Sequence, residues 1–192
     1  MRFPVIYFSC LTEFNKPEEG AEFCKFMQNT TARLDHLPAI IVTIINGAAY
    51  GGGAELATIG DIRLATPNAK MSWVHKNMGL SPGWGGAIRL ISIIGRNEAA
   101  YFQTTAKVIE SNKLCELGLV QEVIDQDAVD TWITEHIEMV PVSVLQAIKS
   151  NILNSGKVVS NSFYAKEAET FENLYGDEPN RIAVRKMLSK IH

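Results

Sequence analysis

The chain has 192 residues, a net charge of −3 and 46% hydrophobic residues, which is enough for one domain with a real core or one domain with a helical appendage. Its mixed charge, without a basic stripe, excludes a nucleic-acid or membrane-surface protein, and no apolar run approaches the roughly 18 residues of a membrane span. Cys10, Cys24 and Cys115 are odd in number and far apart, so neither a disulfide framework nor a zinc site is indicated; a reducing compartment is expected, with the cytosol as location.

Alternation at Phe3, Val5 and Tyr7 predicts an edge strand, where Pro4 is tolerated. The first eleven residues are not expected to act as a secretion signal, because Pro4 interrupts them and no small-x-small site follows. Pro17-Glu18-Glu19 opens a helix with apolar positions at Phe23, Phe26, Met27 and Leu34, ended by Leu37-Pro38. Ile40–Ile45 is apolar throughout, as a strand covered on both faces would be.

A short helix from Gly53 to Thr58 follows, then a strand over Asp61–Ala65, a turn at Pro67-Asn68 and a short strand over Met71–Val74. After Pro82 a second glycine turn feeds a helix, Ala87 to Ile94, closed by Gly95. Ser111–Gly118 reads as a small helix with Ser111 as its N-cap, and Leu119–Ile124 as a strand. Helices are predicted over 127–138, 142–154, 161–175 and 179–190. The order is a β/α front, residues 1–126, and an all-helical tail, residues 127–192.

Most informative is Asn46-Gly-Ala-Ala-Tyr-Gly-Gly-Gly-Ala-Glu-Leu56. A strand, a turn lined by glycine and a helix start together present bare backbone N–H groups at the positive end of a helix dipole. Glycine carries no Cβ to hold a ligand off. Such a turn can hold an anion, or an oxygen that becomes one during a reaction. The spacing fits neither a P-loop nor a dinucleotide fingerprint; a glycine hairpin or a tight helix–strand contact is the plain alternative. A second constellation, Trp73-Val-His-Lys-Asn-Met-Gly-Leu-Ser-Pro-Gly-Trp-Gly-Gly86, places one histidine before another glycine-rich helix entry. Two such entries suggest opposite walls of one pocket.

These motifs, with Asp61-Ile-Arg-Leu-Ala65 and Gly118-Leu-Val-Gln-Glu-Val123, resemble the crotonase (enoyl-CoA hydratase/isomerase) superfamily over roughly residues 17–192. Within it, Val74-His-Lys-Asn-Met-Gly79 and Pro82-Gly-Trp-Gly-Gly86, with Pro17–Gly20 and Phe26–Thr30 upstream, resemble most the ethylmalonyl-CoA decarboxylase branch. The resemblance implies an α/β, crotonase-like (ClpP/crotonase) core followed by the helical region. It implies an acyl-CoA thioester as substrate, with coenzyme A part of the substrate and no other cofactor and no metal. The tail is expected to pack subunits into a homotrimer or a hexamer, with no nucleic-acid or membrane partner.

The resemblance also assigns roles. Gly52 supplies one of two N–H groups that hold a thioester enolate. Hydratases of the superfamily use two glutamates; Glu55 matches the first and His75 stands at the second, which disfavours hydration and suits decarboxylation of ethylmalonyl-CoA or methylmalonyl-CoA. There an imidazole positions the departing carboxylate or delivers the proton. Read from the residues alone, His75 fits a core histidine bonded to a carbonyl better than a chemical role, and Glu55 fits an acid/base, a holder for His75 or an acid near a helix start. Tyr50, Met78 and Trp84 are expected to line the acyl pocket, together with Gly51, Val74 and Gly83. Family members have a longer front, so the first β/α units are expected to be missing and a sheet edge left unpaired. Phe8–Glu13 stands where a Phe-x-x-Gly-x-Asp-Leu-like segment supplies the second N–H. The competing readings are an enoyl-CoA hydratase or isomerase, and a catalytically silent subunit.

Overall fold

The computed structural model describes residues 16–154 and 161–189; the strand expected at Phe3–Tyr7 and the Phe8–Glu13 segment lie outside them. Helix α1 (Pro17–Asp35) begins with proline in its first turn, and the Glu19 carboxylate accepts the Lys16 N–H at 3.3 Å. Strands β1 (Val42–Ile45) and β2 (Ala48–Tyr50) follow, then α2 (Gly52–Ala57), β3 (Ile62–Ala65) and β4 (Lys70–Ser72). A 3-10 turn over Val74–Met78 leads to α3 (Gly86–Thr105), β5 (Ile109–Glu110), α4 (Ser111–Glu116) and β6 (Glu122–Val123). The tail comprises a 3-10 turn at Gln126–Ala128, α5 (Val129–Ile133), a π turn (Thr134–Glu138), α6 (Val142–Asn154), α7 (Asn161–Leu174) and α8 (Glu178–Leu188).

The strands make two small sheets, ordered β1-β3-β6 and β2-β4-β5. Val42 lies opposite Ile62 and Leu64 opposite Glu122, all parallel; Ala48 lies opposite Lys70 in parallel, and Met71 opposite Ile109 antiparallel. The β1–β2 segment therefore runs beside β3–β4 through both sheets and changes sheet at Asn46-Gly47. That step places the glycine turn at the end of β2. The core lies between these layers and α3: Ile45, Ala54, Met71, Trp73, Leu90 and Phe102 form its centre. Cys24, Leu80, Ala168, Phe171 and Tyr175 make a second cluster where α1 meets α7.

Several expectations are corrected. Phe26 and Leu34 of α1 are exposed, and the helix buries Gly20, Ala21, Cys24 and Thr31 instead. It lies too close to its neighbour for bulk, since a Cβ on Gly20 would sit 2.3 Å from the Tyr175 ring. Strand β1 is only partly buried rather than covered on both faces, because it is the edge of its sheet among the described residues. Gly95 is non-helical (φ 79°, ψ 165°), yet helix resumes beyond it to Thr105. Glu110, not Ser111, occupies the N-cap of α4; the Ser111 hydroxyl donates instead to the Pro67 carbonyl. Strand β2 (Ala48–Tyr50) was hidden by its two alanines and the glycines around it.

Among the described residues, no helix is long and apolar enough to cross a membrane. The tail is tied to the front at two points. Lys149 of α6 is fully buried, with its Nζ 2.8 Å from both carboxylate oxygens of Asp61. Beside that pair, burial holds the Arg63 guanidinium below its ordinary pKa, and the Asp61 charge partly counters it. The start of α8 rests on Gly79, a left-handed residue (φ 69°) whose added Cβ would lie 2.8 Å from the Asn180 Cα. Gly79→Ala is therefore expected to cost about 1–3 kcal/mol, from a strained αL residue and a backbone clash. Urea denaturation measures it; a midpoint equal to that of the parent chain contradicts this view of the α8 contact.

Candidate active site

Gly51 ends β2 with φ 54° and ψ −122°, a conformation that only glycine adopts without strain. Its N–H completes the second sheet by donating to the Ser72 carbonyl at 2.9 Å, and its own carbonyl takes the Glu55 N–H at 3.1 Å. The next residue, Gly52, starts α2. Its N–H, in the first helical turn, has no hydrogen-bond partner among the described residues. A Cβ on Gly52 would lie 2.2 Å from the six-membered ring of Trp84, so that indole covers the glycine closely. Trp84 is itself wedged edge-on against Phe23, centroids 5.8 Å apart.

Glu55, one turn into α2, is 1% exposed. Its Oε2 accepts the Trp84 N–H at 2.8 Å and the Gly86 N–H at 3.0 Å; its Oε1 accepts from Gly83 N–H at 3.4 Å and lies 3.0 Å from His75 Nε2. The amides of the second glycine entry thus converge on a side chain of the first. Gly86 must be glycine for this contact, since a Cβ there would sit 2.3 Å from Glu55 Cγ. His75, on the 3-10 turn after β4, is 5% exposed. Its Nδ1 is buried without a hydrogen-bond partner among the described residues. The ring stands beside the first glycine turn, its Nε2 4.0 Å from where a Gly51 Cβ would be.

The structure therefore brings Gly51, Gly52, Glu55, Val74, His75 and Trp84 together; the Val74 Cγ2 is 3.5 Å from the same Gly51 position. Tyr50 is 42% exposed at the end of β2. Gly83 is enclosed: its N–H faces Glu55, and its carbonyl accepts from Cys24 Sγ at 2.8 Å and Gln28 Nε2 at 2.9 Å. Met78 packs toward the α1–α7 cluster, and its carbonyl takes the Asn180 side-chain amide. His36 and His136 each bond a carbonyl one turn back, of Ala32 and Trp132.

Sequence reading missed the residues that hold this arrangement from behind. Arg89 of α3 donates Nη2 to the Glu55 and Trp84 carbonyls and Nε to Thr58 Oγ1. Thr31 reaches the Trp84 carbonyl from α1. Only the position of Arg89, one turn after Gly86, hinted at the first; nothing in the pattern marked Thr31. Among the described residues, no three His, Cys, Asp or Glu side chains are grouped as a metal site requires. Gly51→Ala is expected to cost about 1–3 kcal/mol from its backbone angles alone, read as a lower denaturation midpoint. Retained parental stability would show that the turn relaxes.

This two-sheet core with a helical tail is the crotonase fold. An enoyl-CoA hydratase/isomerase from Mycobacterium paratuberculosis superposes with a TM-score of 0.84 at 20% identity, covering 93% of this chain and 73% of that one. The enoyl-CoA hydratase from Thermoplasma volcanium GSS1 does so with a TM-score of 0.70 at 28% identity, covering 94% and 71%. The family model for enoyl-CoA hydratase/isomerase matches residues 11–181, and the chain belongs to that family. Among its relatives, the ethylmalonyl-CoA decarboxylase of Danio rerio is 38% identical over 172 residues, covering 85% of this chain and 57% of that protein. Its Homo sapiens counterpart is 34% identical over 177 residues, covering 88% and 57%. The chain thus spans less than two thirds of the length of these relatives.

Proposed function

We propose that the chain acts as a carbon–carbon lyase that decarboxylates a malonyl-type acyl-CoA, ethylmalonyl-CoA or methylmalonyl-CoA, without metal or organic cofactor. The observation that carries this reading is the Gly52 N–H in the first turn of α2, which has no partner among the described residues, with His75 beside the same turn. Loss of CO2 leaves a thioester enolate. Its oxygen takes on negative charge, and an N–H fixed at a helix start is strongest there; one such donor is typically worth about 3–4 kcal/mol of transition-state stabilisation. The carbanion carbon then needs one proton, which His75 delivers. Glu55 is a poor partner for hydration, because both of its oxygens already accept protein donors.

Tyr50, Gly51, Val74, Met78, Gly83 and Trp84 belong to the acyl-binding side of this reading, Trp84 by limiting the chain length that fits above Gly52. Residues 1–126 form the catalytic core and 127–192 the region that assembles subunits into a trimer or hexamer in the cytosol. Support comes from the similarity to ethylmalonyl-CoA decarboxylases. The test is incubation of the purified chain with ethylmalonyl-CoA, methylmalonyl-CoA and crotonyl-CoA. Stoichiometric CO2 from the first two is expected. Hydration of crotonyl-CoA without CO2 release, or assembly with no turnover of any of the three, sinks the proposal.

A further inference from the structure

We infer that Glu55 is a positioning residue: it locks the His75 ring with the proton on Nε2 and so makes Nδ1 the atom that serves the acyl carbon. The substrate of this role rests on the decarboxylase reading; its geometry does not. Glu55 lies inside a ring of donors, the N–H groups of Trp84 and Gly86 on Oε2 and that of Gly83 on Oε1. A carboxylate so surrounded can only accept, so the imidazole nitrogen 3.0 Å from Oε1 must be the one that donates. The second nitrogen then carries the lone pair of the neutral ring. It is buried and has no partner among the described residues, and a buried polar atom left in that state calls for a ligand to fill it.

The resulting proton transfer is balanced. After CO2 departs, the electron pair of the broken C–C bond resides in the enolate. The enolate carbon uses that pair to bond the proton on Nδ1 of the charged ring, and the N–H pair stays on Nδ1. The ring is left neutral with Nε2–H still on Glu55, and a proton from water restores the charged form. Glu55 touches no reacting atom. It acts by setting which nitrogen is available.

The experiment is 15N NMR of the imidazole-labelled chain with its neutral rings assigned, paired with α-proton exchange of butyryl-CoA in D2O. In the parent chain His75 is expected as the Nε2–H tautomer. In Glu55→Gln the amide keeps its oxygen toward Trp84 and Gly86 and turns its NH2 toward the ring, so the proton is expected to move to Nδ1. Exchange of the α-proton is expected to fall roughly 10²-fold or more, with KM moved far less. An Nδ1–H tautomer in the parent chain overturns the inference, and that measurement does not depend on the variant folding. So does a Glu55→Gln chain that keeps both tautomer and exchange rate. Absence of CO2 release by the parent chain, with the tautomers as expected, overturns the decarboxylase reading and leaves the positioning intact.

Discussion

His75→Ala is expected to lower the decarboxylation rate constant about 10²–10⁴-fold, the usual contribution of a positioned acid or base. That equals about 3–5 kcal/mol of barrier. The change removes the imidazole and leaves the Glu55 carboxylate with its backbone donors from Trp84 and Gly86. The loop that carries them should therefore stay in place, and KM should move by a small factor. Steady-state kinetics on ethylmalonyl-CoA, with circular dichroism to verify the fold, decide it. If CO2 release continues at the parental rate while α-proton exchange of the product is lost, His75 serves protonation alone. If both continue at the parental rate, the ring has no chemical role, and only the glycine turn would remain of the proposed site.

Lys149→Met is expected to destabilise the chain by about 3–5 kcal/mol, the cost of leaving a buried charge without its partner. That is a large share of the 5–15 kcal/mol by which domains are stable. Methionine keeps most of the volume and removes only the ammonium. Among the described residues, Asp61 would then retain a hydrogen bond from the Ile41 N–H at 2.8 Å and the charge of nearby Arg63. Because Ile41 precedes β1, Asp61 precedes β3 and Lys149 lies on α6, the pair fastens both parallel strands to the tail. The expected result is a lower midpoint in guanidinium, with much of the loss recovered when Asp61→Asn is added. A single variant as stable as the parent chain would show that water reaches Asp61.

The pair also marks the limit of what the sequence reveals. Asp61 and Lys149 are far apart in the chain, and each is an ordinary charged residue in its local pattern. No periodicity announces that an α6 lysine points inward. The glycine turn was legible because backbone angles and close approach leave few residue choices at Gly51, Gly52 and Gly86. The nearness of His75 to that turn followed from the short strand before it. The buried face of α1 was misjudged because hydrophobic spacing favours Phe26 and Leu34, whereas the distance to α7 favours Gly20 and Ala21. The second half of α3 was lost to Gly95, which interrupts the backbone without ending the element. Glu55 was visible as an acid near a helix start; that three amides from another loop meet it was not.

Those three amides have a thermodynamic corollary. Gly83, Trp84 and Gly86 have their N–H groups taken by a side chain from α2, while the carbonyls of Gly83 and Trp84 are taken by Cys24, Gln28, Thr31 and Arg89. If a thioester is its ligand, as proposed, such a loop has little freedom left to surrender on binding, because the ordering entropy is already lost at folding. Selection among acyl groups then depends on shape against a wall that does not yield, and one extra methylene there is worth only about 1–3 kcal/mol. Homologous substrates that differ by one carbon should accordingly be separated by a modest ratio of kcat/KM rather than by all-or-none rejection.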